Sequence, residues 1–232
     1  TLTGADAGDA SFAAGGFSDV ESLDLRDGAD NVTLGDGSSL SGTLSGGAGA
    51  DTLIGPDTAT TFNVGPDPDA GNVTGGSTIP DFQSFENLTG GADNDTFNVD
   101  ANLSGNIDGG AGTEDTLNLA AGVTIGGNVT NVENVNLVVN GTGNADDIVI
   151  RRTSSVLEAV VNGSVSQFFT PVGPLNISLT VDGLGDTDTL TLDYASGGLP
   201  NEITFDNGQE VRVLGSGTES VTFSDTLDPV TS

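Results

Sequence analysis

The sequence predicts an all-β chain: a parallel β-helix or solenoid of roughly 20-residue coils, with a hairpin excursion near 156–167. Three observations carry that expectation. An acidic, glycine-rich turn running into a short strand recurs in degenerate copies. No stretch keeps a 3.6-residue apolar period, because Gly or Asn interrupts every window. The turn aspartates recur about one coil apart: Asp30 to Asp51 is 21 residues, Asp95 to Asp115 is 20, and Asp147 to Asp188 is 41, two coils.

The elements follow in chain order. LTGADAGDASF at 2–12 is a weak echo of the turn. VESLDL at 20–25 introduces a second recurring element, seen again as FENLTG at 85–90, VENVNL at 132–137 and TESVTF at 218–223. It places Glu21, Glu86, Glu133 and Glu219 in equivalent positions. DGADNVTL at 27–34 is a turn and a strand in which Val32 and Leu34 alternate with polar neighbours and so face inward. LSGTLSGGAGADTLI at 40–54 repeats the pattern. The 55–80 stretch, with Pro56, Pro66, Pro68 and Pro80, reads as an insertion that lengthens the gap from Asp51 to Asp95.

LTGGADNDTFNV at 88–99 and LSGNIDGGAGTEDTLNL at 103–119 are the fullest copies, the second with Leu117 and Leu119 inward. After GTGNADDIVI at 141–150, Arg151 and Arg152 form the only basic cluster and mark a soft boundary between 1–150 and 151–232. Within VLEAVVNGSVSQ at 156–167, Asn162-Gly163 between alternating apolar residues is the strongest short-range hairpin signal. The turn-strand pattern returns at 183–192, with Ile177, Leu179, Val181, Leu190 and Leu192 facing inward. The first and last copies are incomplete, and the chain starts at Thr1 rather than Met. It therefore reads as a processed piece of a tandem array, whose end strands a neighbouring module or a second copy covers.

Composition narrows the function. The chain has four Arg and no Lys, no His and 34 acids, for a net charge of −30. Nothing basic is available to neutralise phosphates, which excludes nucleic acid as a partner and disfavours an anionic membrane surface. No apolar run reaches the ~20 residues that span a bilayer. The absence of Cys and His removes disulfides and the thiolate and imidazole metal sites. Gly is 36 of 232 residues and Trp is absent, as suits a thin core extended by stacking. With no Lys or His to act as base, no catalytic activity is expected.

The acidic turns carry the chemistry. Gly permits a tight reversal with positive φ, and Asp offers a short, hard oxygen ligand. Carboxylates and backbone carbonyls without nitrogen or sulfur suit Ca²⁺. Asp95 and Asp115 on adjacent coils would repel one another, and a divalent cation between them would turn that repulsion into a clamp. The candidate ligands are Asp93, Asp95, Asp108 and Asp115, then Asp30 and Asp51, then Asp146, Asp147, Asp186 and Asp188. The other reading stays open: each Asp caps its turn by accepting backbone N–H bonds. The recurring glutamates read as solvated or backbone-bonded turn acids.

GGAGADTLI and GGAGTEDTL resemble the Gly-Gly-x-Gly-x-Asp-x-apolar-x nonapeptide of RTX calcium-binding β-rolls. The longer units, such as FENLTGGADNDTFNV, resemble repeats of very large bacterial surface and adhesin-like proteins. The resemblance implies a secreted bacterial protein, dependence on Ca²⁺ and an extended β-solenoid. The motifs here stand singly, about 20 or more residues apart, where RTX nonapeptides run back to back, so fewer sites on a wider coil are expected. The functional expectation is a structural module of an extracellular fibre, surface layer or giant adhesin, stacking end to end with itself or with neighbouring modules. The alternative is a ligand-binding adhesin module whose outward Thr and Asn contact ice or carbohydrate.

Overall fold

The computed structural model describes residues 1–10, 13–153, 156–168, 176–195, 199–200, 202–206, 208, 210–214 and 220–224. Glu219 lies outside them. Short alternating segments punctuated by Gly, Asp and Asn form strands alone, with no helix among the described residues. In order they are β1 (Leu2–Gly4), β2 (Ala7–Ala10), β3 (Ala13–Phe17), β4 (Leu23–Asp24), β5 (Asn31–Thr33), β6 (Thr43–Ser45), β7 (Thr52–Ile54) and β8 (Thr60–Val64). There follow β9 (Gly71–Gly75), β10 (Ile79–Gln83), β11 (Asn87–Thr89), β12 (Thr96–Val99), β13 (Ile107–Asp108), β14 (Thr116–Ala120), β15 (Val129–Thr130) and β16 (Asn134–Asn140). The last are β17 (Asp147–Thr153), β18 (Val156–Val161), β19 (Ser164–Phe168), β20 (Asn176–Asp182), β21 (Thr189–Asp193), β22 (Glu202–Asp206), β23 (Glu210–Leu214) and β24 (Ser220–Ser224). Two compact units divide the chain: Thr1–Asn118 with Val123–Asn134, and Leu119–Gly122 with Val135–Ser232. Position 150, the boundary read from the arginine cluster, falls inside β17 of the second unit.

In the first unit one sheet runs β15-β13-β11-β7-β5, every pair parallel. Its register aligns Val32 with Leu53, Leu53 with Leu88, and Leu88 with Ile107, and all four are buried. The steps are 21, 35 and 19 residues. The long step has a structural cause. A second sheet has the order β14-β12-β8-β9-β10-β6-β4, and in it β9 lies antiparallel to both β8 and β10. The proline-rich 55–80 stretch thus adds a reversed strand instead of a loose loop, with Asp69 at positive φ (55°) in its first turn.

The inward residues of that second sheet pack into a narrow core. Phe62 and Phe97 stand in register on β8 and β12, and their rings stack 5.1 Å apart at an interplanar angle of 3°. Phe82 and Phe85 meet edge to face, with centroids 6.3 Å apart. All four phenylalanines are fully buried, in two ring pairs. Within 2–10, the described part of the 2–12 segment, two paired antiparallel strands stand where the sequence predicts an acidic turn. β1, β2 and β3 form an antiparallel sheet, with Leu2 bridging in parallel to Leu34.

In the second unit β17, β18 and β19 make an antiparallel meander, and β21 and β23 extend it in parallel from β17. The Asn162-Gly163 turn has both residues at positive φ (51° and 82°), which matches the twist a two-residue hairpin requires. The hairpin is one edge of this five-stranded sheet. Arg151 sits directly opposite Glu158 and pairs with it at 2.9 Å, so half of the basic cluster neutralises a buried acid. The remaining strands run β24-β22-β20-β16, with Ser178 of β20 hydrogen-bonded to Asn136 of β16.

Because Phe97 is fully buried and stacked on Phe62, F97A should cost about 3–5 kcal/mol. Urea unfolding followed by circular dichroism checks this. An exposed-strand control, N31T, should move stability by about 0.5 kcal/mol or less.

Candidate functional site

Where a glycine-rich turn enters its strand, the first N–H finds its partner outside that turn. The aspartate that opens a later strand supplies it. Asp30 N–H donates to Asp51 Oδ1 at 2.7 Å, and Thr52 N–H returns a bond to the Asp30 carbonyl at 2.8 Å. The same bracket links Asp95 to Asp115 (2.7 Å) with Thr116 to Asp95 (2.8 Å), and Asp146 to Asp188 (2.8 Å) with Thr189 to Asp146 (2.9 Å). Glutamates complete it twice. Asp51 N–H donates to Glu86 Oε2 at 2.7 Å and Asn87 N–H to the Asp51 carbonyl at 3.0 Å. Asp115 N–H donates to Glu133 Oε2 at 2.8 Å, and Asn134 N–H to the Asp115 carbonyl at 2.9 Å.

Three carboxylate rows result: Asp30–Asp51–Glu86, Thr60–Asp95–Asp115–Glu133, and Asp146–Asp188. Thr60 opens the second because its N–H donates to Asp95 Oδ1 at 2.8 Å. Each bond to an ionised acceptor is worth more than a neutral one. Glycine lets the carboxylate lie flat on the turn. A Cβ at Gly90 would stand 2.4 Å from Asp95 Oδ2, and one at Gly46 2.8 Å from Asp51 Oδ2. Neither residue has positive φ, so at these two positions close approach, not the left-handed conformation, demands glycine.

The ten candidate ligands separate by depth. Asp51, Asp95, Asp115, Asp146 and Asp188 are buried. Asp30 and Asp108 are half-buried, and Asp108 Oδ1 holds Gly110 N–H at 3.2 Å and Asn131 Nδ2 at 2.7 Å. Asp93, Asp147 and Asp186 are exposed. Asp95 and Asp115 are neighbours, as their spacing predicts. The partner of Asp188 is Asp146, not Asp147 as the 41-residue interval predicts; the Asp147 N–H goes to Asn162 Oδ1 at 3.0 Å. Asp51 and Asp95 are not neighbours, because Glu86 follows Asp51 and Thr60 precedes Asp95. The places of Glu86 and Glu133 in the rows were not assigned from sequence, although their recurrence one residue ahead of a strand was the available signal.

Burial sets the electrostatics. It raises the carboxyls of Asp95, Asp115 and Asp188 above the ordinary range, and like charges add to it: Asp115 and Asp93 beside Asp95, Glu133 and Asp108 beside Asp115, Asp146 and Asp186 beside Asp188. Burial pushes on Asp146 too, but Thr142 N–H, Thr142 Oγ1 and Asn162 Nδ2 donate to it and hold its carboxyl below the ordinary range. One oxygen in each of several carboxylates is buried without a hydrogen bond: Oδ2 of Asp30, Asp51, Asp115 and Asp188. Such an atom carries a desolvation cost that a proton or a cation would relieve. Among the described residues no three acids converge into one metal-holding group.

Two outcomes follow. D115A removes the acceptor for the Asp95 N–H and should cost about 1–3 kcal/mol. D115N keeps an acceptor oxygen and should cost less, as chemical denaturation of the two variants will measure. The pH response has a definite sign. A carboxyl raised in the folded state adds stability below its ordinary value near 3.9 and loses it as pH rises through the raised value. Asp146 works oppositely, contributing above that ordinary value and losing its contribution as pH falls through its depressed one. Above the ordinary carboxylate value only the raised groups Asp95, Asp115 and Asp188 titrate, because the lowered Asp146 stays ionised there, and a charge of −30 repels itself. Without divalent cations the melting temperature should therefore rise as pH falls from about 7 toward the ordinary carboxylate value near 3.9. Scanning calorimetry at stepped pH reads it.

No protein-family model, curated protein or solved structure matches the chain, so its rows of carboxylates are interpreted through their own chemistry.

Proposed function

We propose that the chain is a β-solenoid repeat module of an extracellular bacterial fibre, surface layer or giant adhesin, that Ca²⁺ binds at its acidic glycine turns, and that modules meet end to end. The carrying observation is the two-bond bracket, which recurs at five junctions and leaves buried carboxylate oxygens without partners. A unit that ties each turn to the next is suited to repetition, and a sheet that ends on a strand can be extended by a further copy. The role is mechanical, and no catalytic step is assigned to any residue.

The donor set favours a hard cation: carboxylate oxygens with no imidazole or thiolate. Asp95 and Asp115 would contribute one site, with Asp93 and Asp108 at its margin. Asp30 with Asp51, and Asp146 with Asp188, would contribute others, with Asp147 and Asp186 exposed nearby. With at most two buried acids per position, the remaining ligands would be backbone carbonyls and water. Such sites belong in the weak range of about 10⁻⁴–10⁻³ M, which suits an extracellular module.

At about 10 mM Ca²⁺ a site of that strength adds about 1–3 kcal/mol. The melting temperature should rise on going from excess EGTA to Ca²⁺, and D115N with D188N should abolish most of the rise. Equal melting temperatures in EGTA and Ca²⁺ would reject the cation.

A further inference from the structure

The second sheet of the first unit carries two aligned polar rows on its outward positions. Thr61 stands opposite Thr96 on one side and Thr74 on the other; Asn63 stands opposite Asn98 and Asn72. The reversed strand β9 keeps both rows in register because its pairing is antiparallel. The asparagines form one directed chain: Asn118 Nδ2 donates to Asn98 Oδ1 at 2.7 Å, Asn98 to Asn63 at 2.7 Å, and Asn63 to Asn72 at 2.9 Å. These rows carry hydroxyls and amides and no charge, in a chain of net charge −30.

Asn72 ends the amide chain at the edge of a cleft of about 510 Å³ between the β8–β9 turn and β10. That volume lies in the range of small-molecule sites. Pro66, Pro68 and Pro80 give the cleft flat apolar walls, and Asp67, Asn72, Asp81, Gln83 and Ser84 give it polar groups. Asn72 uses its Oδ1 on Asn63, and its amide N–H₂ makes no hydrogen bond among the described residues. Asp81 Oδ2 is held by Thr43 Oγ1 at 2.8 Å and by Gln83 Nε2 at 3.0 Å, which leaves Asp81 Oδ1 and Gln83 Oε1 as acceptors. A donor amide beside two fixed acceptors matches adjacent hydroxyls, each of which donates and accepts. Proline rings suit the C–H faces between those hydroxyls. Among the described residues no three acids gather in the cleft to hold a metal, and the charge of the chain repels anionic sugars.

We infer that this cleft, continued by the Asn63–Asn98–Asn118 row, binds a neutral oligosaccharide. None of these side chains belongs to the carboxylate rows, so the inference stands apart from the scaffold and Ca²⁺ readings.

The test uses the 232-residue chain on an array of neutral gluco-, manno-, galacto- and N-acetylglucosamine oligosaccharides alongside uronate oligosaccharides, followed by calorimetric titration of the strongest binder. Binding of a neutral glycan is expected, with uronates rejected. N72A and Q83A should each weaken it about tenfold, the loss of about one good hydrogen bond. T33A, on the other sheet, should leave it unchanged. Gln83 is exposed, so Q83A keeps the fold and reads the contact directly. No neutral glycan bound, a preference for uronates, or wild-type affinity in both N72A and Q83A would overturn the inference.

Discussion

The bond from a backbone N–H at one turn to a carboxylate of a later strand is the constraint on which the rest of the structure depends. A glycine-rich turn cannot satisfy its own backbone, and a thin core has little apolar area with which to hold it. The bracket solves both problems at once. At Asp95 and Asp115 a side-chain acceptor and a backbone donor tie two strands at adjacent atoms. Brackets at Asp30–Asp51 and Asp51–Glu86 stand at the entrances of the strands whose register places Val32, Leu53 and Leu88 in one buried column. Packing therefore goes together with a polar interaction repeated at the strand entrances.

That solution concentrates negative charge where water is excluded. Asp51, Asp115 and Asp188 are each fully buried with one oxygen unpartnered. Hydrogen bonds from the preceding turn offset part of the desolvation, and like charges along a row work against it. Asp146 shows the alternative: with Thr142 and Asn162 donating to it, its carboxyl stays below the ordinary range. Asn162 also shapes the β18–β19 turn, so the hairpin and the third carboxylate row share one residue.

Much of this was legible in the sequence because it depends on residue type and spacing. Asn162-Gly163 announces its hairpin through the two positive φ values it tolerates. The 20-residue interval from Asp95 to Asp115 equals one step of the row. What stayed hidden depends on atoms. Asp146 and Asp147 are adjacent identical side chains, and a one-residue offset decides which is buried and which faces solvent. Glu86 and Glu133 reach the same N–H with an extra methylene, from one position before Asn87 and Asn134. Thr60 occupies an aspartate's place without any acidic signature. The prolines of 55–80 mark an interruption, but a run of turn residues does not disclose that β9 re-enters the sheet reversed.

Amide hydrogen exchange tests the central claim most directly, because the bracket names individual N–H groups. The amides of Asp30, Asp95 and Asp146 sit in turns that would ordinarily exchange fast, yet each is bonded to a buried or nearly buried carboxylate. Resolved by nuclear magnetic resonance, these three amides should exchange with the slowest class, alongside strand amides such as Phe97, through opening of the whole unit. Exchange at the rate of exposed turn amides such as Asn94, while Phe97 stays protected, would contradict it: the strands would then hold without the carboxylates.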